Sequence, residues 1–501
     1  MPRDALRIGL VVDGTQVPAW IAALVLALNN SESAAIARVV YAAEDAAPLS
    51  LDAPLYERLD RLLFARGEDP LRPVALPDLA SLPTEGRVDL QLHLSISPPQ
   101  YDEDAELGTW YFHPDLLLGT ASWAPVTAQS TVASADLFAR WQNDEYALYS
   151  GHTAVHTFSI RRTNQRLYWL ASAAAVRCIE QLCTHPSPAR YYARNGTPTV
   201  PPAPAPSAPF TLRPFIASTW RRAWTDLSQR TEWHIRYGRT ADDHLPSDFD
   251  AFLPLQAASH TYWADPFPFV HEKNLYLFFE VYDQRKKKGH IAVMPFGEQG
   301  PSGPAVRALE TPEHLSYPLV FAHEGIIYMM PESSERGTVD LYRCQRFPDK
   351  WTYDRTLLHD LYAVDSTLCY HDNWWWIFTC QAAHPNAPAR DELFLYYADS
   401  PLSAHWTPHP MNPIIADVRH ARPAGRIFEL DGRTVRPAQD CSQRYGYGIH
   451  LREIVVWNRE DYSERALKSY LPQGGRVGMH TFNRSGSWTF VDIKLRTRRW
   501  L

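Results

Sequence analysis

Five acidic residues stand at related positions in the second half of this 501-residue sequence. Asp265 and Asp365 each lie four residues before the end of a short apolar run, and Glu280 and Glu332 share a position in the runs that follow. Asp440 comes directly after that same position in a later segment. Carboxylates gathered in one cleft push one another's pKa values apart, which lets an acid and a base coexist. We therefore predict a catalytic group, consisting of Asp265, Asp365 and Glu332.

Cations and aromatic residues accompany these acids. Arginine side chains bind carboxylate or phosphate in bidentate fashion, so the basic stretch between 419 and 436 suits an anionic ligand such as a phosphorylated or nucleotide-activated sugar. An equally simple interpretation is that these arginines neutralise the nearby acids. The predicted substrate-binding residues are Trp263, Glu280, Tyr317, His420, Arg422, Arg426, Arg436, Gln439 and Asp440.

A repeat of about 50 residues positions these side chains. Each of five segments contains an apolar run, a turn rich in Gly, Asn or charged residues, and a second strand seven residues past its anchor. The anchors are Phe269, Phe321, Cys369, Phe428 and Phe482. A four-stranded unit of this length repeated five times predicts a five-bladed β-propeller, whose inner strands line a central channel. The alternative, an irregular β-sandwich, would not keep so regular a period.

The first half follows a different pattern. Short apolar runs at 6–12, 37–42, 88–94 and 152–161 predict strands, and helical spacing follows Pro18 and again covers 168–183. This alternation predicts an open α/β sheet. Because no Gly-x-Gly-x-x-Gly follows the first strand, the dinucleotide-binding fingerprint is missing.

A proline-rich stretch separates the two halves. Residues 186–209 combine eight prolines with Ala, Ser and Thr, a composition that predicts an extended linker without helix or inner strand. We therefore expect a multidomain protein, with an α/β domain at 1–185 and a propeller at 210–501. Within the propeller region, 210–260 is predicted to wrap the domain and 261–501 to form the blades.

Composition narrows the function classes. The net charge of −7, from 49 basic and 56 acidic residues, argues against nucleic acid as the partner. Six cysteines without a Cys-x-x-Cys pair indicate neither a disulfide framework nor a zinc site, and no metal is predicted. The N-terminus does not read as a signal peptide, and no apolar run has the ~20 residues of a membrane span. The sequence thus predicts a cytoplasmic protein.

The C-terminal half resembles the propeller in the N-terminal region of plant glucosamine inositolphosphorylceramide transferases. The matching stretches are 264–269, 314–318, 330–333, 421–426 and 436–442. That propeller is in turn similar to glycosidases of families 43 and 32, where an Asp matching Asp265 is base or nucleophile and a Glu is the acid. The resemblance also implies an orienting Asp in blade two, but this sequence has Tyr317 there, so the glycosidase set is incomplete.

The N-terminal half resembles the folate-dependent formyltransferase fold. Residues 108–114 stand at the family's Asn-x-His motif, where His113 matches and Tyr111 occupies the Asn position. The segment 159–165 offers no matching Asp. The resemblance implies either a degenerate scaffold in which His113 marks a vestigial site, or a site that has turned to acceptor binding.

Three functions follow from these expectations. The first is a glycosyltransferase of glycan or glycoconjugate assembly that uses an activated sugar donor and a glycan or small-molecule acceptor. The second is a glycoside hydrolase acting on furanoside-type sugars, and the third is a non-catalytic sugar-binding module. No cofactor is predicted, and a single channel ion held by oxygen ligands stays open because such sites leave little sequence trace.

Overall fold

The structure is a computed structural model of the 501-residue chain. It describes residues 5–42, 54–64, 67–76, 82–185, 187–195, 217, 220, 224, 229–241, 243–382, 384–387 and 389–498. The chain divides into two compact units. One contains Met1–Arg222 with Ala383–Pro388, and the other contains Ala223–Ala382 with Ala389–Leu501.

The N-terminal unit is a mixed α/β domain. Its elements in chain order are β1 (Leu6–Val12), β2 (Gln16–Pro18), α1 (Ala19–Asn29), β3 (Ala34–Tyr41), α2 (Pro54–Phe64), β4 (Pro73–Ala75), β5 (Leu90–His93), β6 (Thr109–Phe112), α3 (Pro114–Leu117), α4 (Trp123–Thr127), β7 (Val132–Trp141), β8 (Asp144–Ala154), α5 (Ile160–Thr184) and α6 (Pro188–Asn195).

These strands form a six-stranded sheet in the order β3-β1-β5-β6-β7-β8. The first four are parallel, and β7 and β8 add an antiparallel hairpin at one edge. The open α/β sheet predicted from the alternating pattern is confirmed. The strand predicted at 152–161 is wrong in its bounds, because β8 ends at Ala154 and Ser159 caps the N-terminus of α5 by accepting a hydrogen bond from the Arg162 N–H.

The prediction that 186–209 lacks helix is wrong at its start. Pro188 begins α6, a position where proline is tolerated because the first helical N–H has no intrahelical partner. Tyr191 and Tyr192 on this helix are buried, and their hydroxyls donate to the backbone oxygens of Cys178 and Leu107. Residues 196–209 of the predicted linker lie outside the described residues.

The second unit contains twenty-two strands among the described residues. They are β9 (Gln229–Arg239), β10 (Leu253–Pro254), β11 (Thr261–His271), β12 (Asn274–Asp283), β13 (Lys288–Gly297), β14 (Gly300–Pro301), β15 (Val306–Leu309), β16 (Ser316–His323), β17 (Ile326–Glu332), β18 (Val339–Arg346), β19 (Lys350–Leu358), β20 (Ala363–His371), β21 (Trp374–Gln381), β22 (Glu392–Ala398), β23 (Thr407–Pro408), β24 (Phe428–Leu430), β25 (Arg433–Asp440), β26 (Gly448–Trp457), β27 (Tyr462–Tyr470), β28 (Arg476–Gly478), β29 (Phe482–Ser485) and β30 (Trp488–Arg498).

These strands form five antiparallel sheets, which confirms the five-bladed propeller. Blades one to four contain β11–β15, β16–β19, β20–β23 and β24–β27. Blade five joins the two ends of the unit, because β9 pairs with β30 along its whole length beside β28 and β29. Residues 229–239, predicted only to wrap the domain, are therefore an integral strand of a blade. Buried aromatic and aliphatic side chains fill the layers between the sheets.

A β-bulge recurs on the innermost strand of blades one, two and three. The strand register shifts between Ala264 and Phe267, and at the equivalent places in the next two blades. The residues inside these bulges are Asp265, Tyr317 and Asp365, with φ values of 50°, 47° and 51°. Bulges re-aim a side chain, and left-handed backbone at non-glycine residues is concentrated at functional sites. The repeat thus positions one polar side chain per blade at the inner strand.

Among the described residues, no helix is both long and apolar enough to cross a membrane.

Candidate active site

The bulge residues meet side chains from other blades around one axis. The N–H of Tyr317 donates to Asp265 Oδ2 at 3.2 Å, and the Thr481 hydroxyl donates to Asp265 Oδ1 at 2.5 Å. Asp265 on blade one therefore contacts both neighbouring blades. We call the titratable residues gathered here the channel cluster, which consists of Asp265, Glu280, Glu332, Asp365, Arg422, His480 and Asp492.

Tyr317 of blade two contacts blades one, three and four. Its ring packs edge-on against Phe267, with centroids 4.6 Å apart. Its hydroxyl lies 2.9 Å from the Thr367 hydroxyl and accepts the Gly425 N–H at 2.6 Å. The side chain is fully buried. Where the glycosidase resemblance implied an orienting Asp, this chain has a neutral side chain whose hydroxyl contacts Thr367 and Gly425.

Asp365 is held as an anion. The Arg422 Nε donates to its Oδ2 at 2.5 Å, and Gln439 Nε2 donates to the same oxygen. Burial alone would raise the pKa of Asp365, but Arg422 and its hydrogen bonds hold it below the ordinary value. Glu332 accepts the Asp365 N–H at 2.9 Å, and its pKa lies well above the ordinary value because of burial and the charge of Asp365. Within this pair the environment therefore favours the charge on Asp365 and the proton on Glu332.

The pKa of Asp265 is shifted upward, opposite to that of Asp365. Burial is the main cause that raises its pKa to about 6, with Asp492 and Asp365 adding to the effect and His480 opposing it. The two bulge aspartates act on each other electrostatically, so they belong to one cluster as the sequence predicts. One carboxylate close to its titration point beside one that stays ionised is the division that acid–base chemistry requires.

Glu280 is a buried acid whose surroundings favour the protonated form. Burial raises its pKa well above the ordinary value, and the charges of Asp265 and Glu332 add to this. His314 Nδ1 accepts the Gly289 N–H at 2.9 Å, which leaves Nε2 protonated and 3.4 Å from Glu280 Oε1. His314 Nε2–H therefore needs only an acceptor oxygen at position 280, and a neutral side chain can provide it.

Glu280→Gln is expected to stabilise the protein at pH 8 by about 1–3 kcal/mol and to leave it unchanged near pH 4. The folded-state pKa of Glu280 is raised, so its stability contribution is complete below the unfolded pKa and is lost as pH rises through the folded pKa. Glutamine does not titrate and keeps the oxygen that faces His314. Denaturant unfolding at both pH values measures this, with the exposed Glu298→Gln as the matched control. Equal destabilisation at both pH values would contradict the assignment.

Two cluster members, His480 and Asp492, were missed by the sequence analysis. Asp492 is fully buried on β30 and accepts the N–H groups of Asp265, His480 and Thr481 at 2.9–3.0 Å. The imidazole Nδ1 of His480 bonds the same carboxylate, and its ring stacks on Trp233 with centroids 3.8 Å apart. Burial would lower the pKa of His480, but the carboxylates of Asp492 and Asp265 raise it above the ordinary value. His480 therefore balances part of the negative charge of the cluster.

Asp265, His480 and Asp492 are also the residues that could hold a metal ion. One potential ligand atom from each lies within 4.8 Å of the others. The Asp492 oxygens, however, already accept three backbone N–H groups and the His480 imidazole. Protein donors thus already satisfy this carboxylate.

The predicted arginine group does not converge on the channel cluster as a whole. Arg422 joins it, with Nη2 3.6 Å from Glu332 Oε2 in addition to its bond with Asp365. Arg436 is fully buried and donates through Nε and Nη2 to the two oxygens of Glu464 on β27, an outer strand. For Arg436 the alternative interpretation, neutralisation of a buried acid, fits the structure better than contact with a ligand.

The remaining predicted binding residues have protein partners. Arg426 donates to the Val320 backbone oxygen, and burial lowers its pKa to about 10. His420 lies 3.9 Å from Asp417, and burial lowers its pKa to about 4. Asp440 accepts the Ser442 N–H at 2.8 Å and lies 3.4 Å from His450 Nε2.

Trp263 and Gln439 complete the set. The Trp263 ring packs on Phe279 with centroids 4.7 Å apart and belongs to the apolar layer beside β12. Gln439 is buried, with its amide nitrogen bonded to Asp365 and to the Pro423 backbone oxygen. The structure thus brings Gln439 into direct contact with the channel cluster and places Trp263 in the packing of a blade.

The predicted vestigial site in the N-terminal domain contains a helix cap. His113 Nδ1 accepts the Asp115 N–H at 3.3 Å at the start of α3, and lies 3.6 Å from the Asp115 carboxylate. Tyr111, at the position of the formyltransferase Asn, hydrogen-bonds Glu145 through its hydroxyl. The formyltransferase resemblance stays a prediction.

The propeller sequence also matches known proteins. Residues 253–500 match the family model described as glucosamine inositolphosphorylceramide transferase 1, N-terminal. The relatives include glucosamine inositolphosphorylceramide transferase 1 of Arabidopsis thaliana, 34% identical over 283 residues, which cover 55% of this chain and 34% of the relative. The protein of the same name from Oryza sativa subsp. japonica is 38% identical over 204 residues, covering 40% of this chain and 27% of the relative.

The aligned residues of this chain thus correspond to 34% and 27% of the length of these two curated relatives. Similar solved structures include the catalytic domain of a Coprinopsis cinerea GH62 α-L-arabinofuranosidase, with a TM-score of 0.36 and 13% identity, covering 53% of this chain and 98% of that one. The GH43 β-xylosidase/α-arabinofuranosidase CoXyl43, from a compost metagenome, has a TM-score of 0.37 and 11% identity, covering 48% and 92%.

Proposed function

We propose that the propeller is a glycosyltransferase of glycoconjugate assembly whose channel cluster binds an activated sugar donor. The observation that carries this is the division of roles between two aspartates in one cluster. Asp265 has a pKa of about 6, and Asp365 stays ionised beside Arg422. A general base works best when its pKa lies near the working pH, and Asp265 meets that condition.

In the proposed step, an acceptor hydroxyl attacks the anomeric carbon of the donor. The new bond is the glycosidic C–O bond, and the bond between the anomeric carbon and the donor's phosphate oxygen breaks, with the electron pair leaving on the phosphate. Asp265 takes the hydroxyl proton. Asp365 is fixed by Arg422 Nε at 2.5 Å and offsets the positive charge that develops on the sugar ring.

Asp265→Asn is expected to lower transfer at least about a hundredfold, because asparagine cannot accept the proton. Transfer from a panel of nucleotide sugars and sugar phosphates to lipid and glycan acceptors, followed by mass spectrometry, measures this. Asp431→Asn at the exposed turn between β24 and β25 is the matched control and should keep full activity. Full turnover by Asp265→Asn would remove this aspartate from the mechanism.

A glycoside hydrolase is the second candidate, and one observation favours it. Burial raises the pKa values of Glu332 and Glu280 well above the ordinary value, which favours the protonated form, and a hydrolase needs a protonated carboxylic acid near the leaving group. Release of free sugar from aryl furanosides without nucleotide or acceptor would support hydrolysis over transfer.

A binding role without catalysis is the third candidate. It is favoured by the extent of the match, since the family model describes an N-terminal region and most of each relative's length lies outside the aligned part. If wild-type protein binds a sugar phosphate but turns over no donor, the propeller serves as a recognition domain.

A further inference from the structure

Arg390 is a cation beside the channel cluster that neither the sequence analysis nor any described partner explains. It lies near the end of the loop between β21 and β22 and is half-buried. Its guanidinium lies over the Tyr445 ring, 5.7 Å from the centroid. Among the described residues, no carboxylate forms an ion pair with it and no acceptor hydrogen-bonds it.

Tyr445 connects Arg390 to the cluster. The same ring lies 4.8 Å from the Arg422 guanidinium and 5.3 Å from the His480 ring. Arg390 is also close enough to Cys441 to lower that thiol's pKa, as Arg422 does, although burial raises it overall. Arg390 therefore lies one aromatic ring away from Arg422 and His480.

The other cations of the region are already bound. Arg422 bonds Asp365 and lies beside Glu332, Arg419 pairs with Asp417, and Arg436 pairs with Glu464. An arginine that neutralises a carboxylate has little charge left for a ligand, and its removal from that partner costs free energy. Arg426 already donates to a backbone oxygen, and burial lowers its pKa. Both features make it a poorer anion site than a guanidinium without a polar partner.

We propose that Arg390 binds the phosphate group of the activated sugar, with Tyr445 supporting the guanidinium plane. This inference rests on the proposed function and names the residue that recognises the donor. The planar guanidinium presents several N–H donors to a phosphate in a fixed geometry, and stacking on an aromatic ring orients it at little cost in conformational entropy. A phosphate held there leaves the sugar to extend past Tyr445 toward Asp265 and Asp365.

Calorimetric titration of the full chain with inorganic pyrophosphate, UDP and glucose 1-phosphate tests the assignment. Arg390→Ala should weaken all three at least tenfold and reduce the salt dependence of binding, because one phosphate contact is lost. Arg390→Lys should recover part of the affinity through its charge. Arg465→Ala, which removes an exposed ion pair with Glu453, is the matched control and should bind as wild type does.

Thermal unfolding of each variant without ligand verifies that the fold is intact. If wild type binds these probes and Arg390→Ala binds them equally well, Arg390 does not contact the phosphate and the inference is overturned while the proposed function stands. If wild type binds none of the phosphate probes, both the inference and the use of an activated donor in this channel are overturned.

Discussion

Arg422→Met is expected to lower the free energy of unfolding at pH 7 by about 3–5 kcal/mol. Arg422 is the cation between Asp365 and Glu332, and all three side chains are at least nine-tenths buried. Methionine fills a similar volume but leaves the Asp365 anion without its partner, and an unpaired buried charge carries this cost. Urea unfolding monitored by tryptophan fluorescence measures the loss.

The loss should depend on pH in one direction. In wild type the folded-state pKa of Asp365 is depressed, so its contribution to stability is present above the unfolded pKa near 4 and is lost as pH falls through the folded value. Removal of Arg422 raises the pKa of Asp365, so the variant loses stability as pH rises. The gap between the two proteins should therefore be small near pH 3 and large at pH 7. A gap independent of pH would mean that Arg422 contributes packing and not charge.

The propeller was accessible to prediction because each blade repeats a local pattern. Phe269 pairs with Tyr276, Phe321 with Tyr328, and the next two anchors pair with residues seven positions on, as the sequence predicts. A short hairpin fixes the register of its two strands, so the turn residues predict which residues pair across them.

Blade five was predicted one residue out of register. Phe482 pairs with Val491 and not with Thr489, and Asn483 occupies the place of the anchor. The turn at Ser485-Gly486 is as predicted, but the predicted anchor, the buried Phe482, lies one residue before the true one. In the observed register the position equivalent to Glu280 is Lys494, so Asp492 lies at no position that the repeat marks.

The bulges explain why Asp265 and Asp365 could be found. Each stands at a fixed distance before the hairpin, so position within the repeat predicts its direction. The cation pairs could not be found this way. Arg436 and Glu464 lie 28 residues apart on different strands, and a single sequence holds no signal that joins them. The cluster of arginines along the chain therefore predicts a ligand site, whereas in the structure arginines such as Arg436 form ion pairs with carboxylates of the protein.

Arg390 was missed for a related reason. It lies after a loop outside the repeated strands, where position within a blade predicts nothing. Arg390 stands out only after the neighbouring Arg419, Arg422 and Arg436 have been assigned their carboxylate partners. Residues on loops that a rigid scaffold positions often carry function, and this is the setting of Arg390.

Asp492→Asn is expected to destabilise the protein by about 3–5 kcal/mol and to disturb Asp265 as well. The carboxylate accepts the N–H groups of Asp265, His480 and Thr481 and the His480 imidazole. Asparagine keeps one acceptor oxygen and turns its NH2 toward donors that then lack a partner. Each buried donor left unsatisfied costs about 1–3 kcal/mol.

The position of Asp492 gives this change an effect beyond stability. It lies on β30 in blade five and fixes the backbone of Asp265 in blade one, so it joins the last blade to the first at the level of the candidate base. Asp440→Asn is the matched control and should cost about 1 kcal/mol, because Asp440 is also buried but its carboxylate bonds, among the described residues, only Ser442 and His450 of its own blade. Chemical denaturation compares the two variants. If Asp492→Asn were no more costly than Asp440→Asn, the contact between the first and last blades would not depend on this carboxylate, and the bulge of Asp265 would have to be held by the strand pairing of β11 with β12 alone.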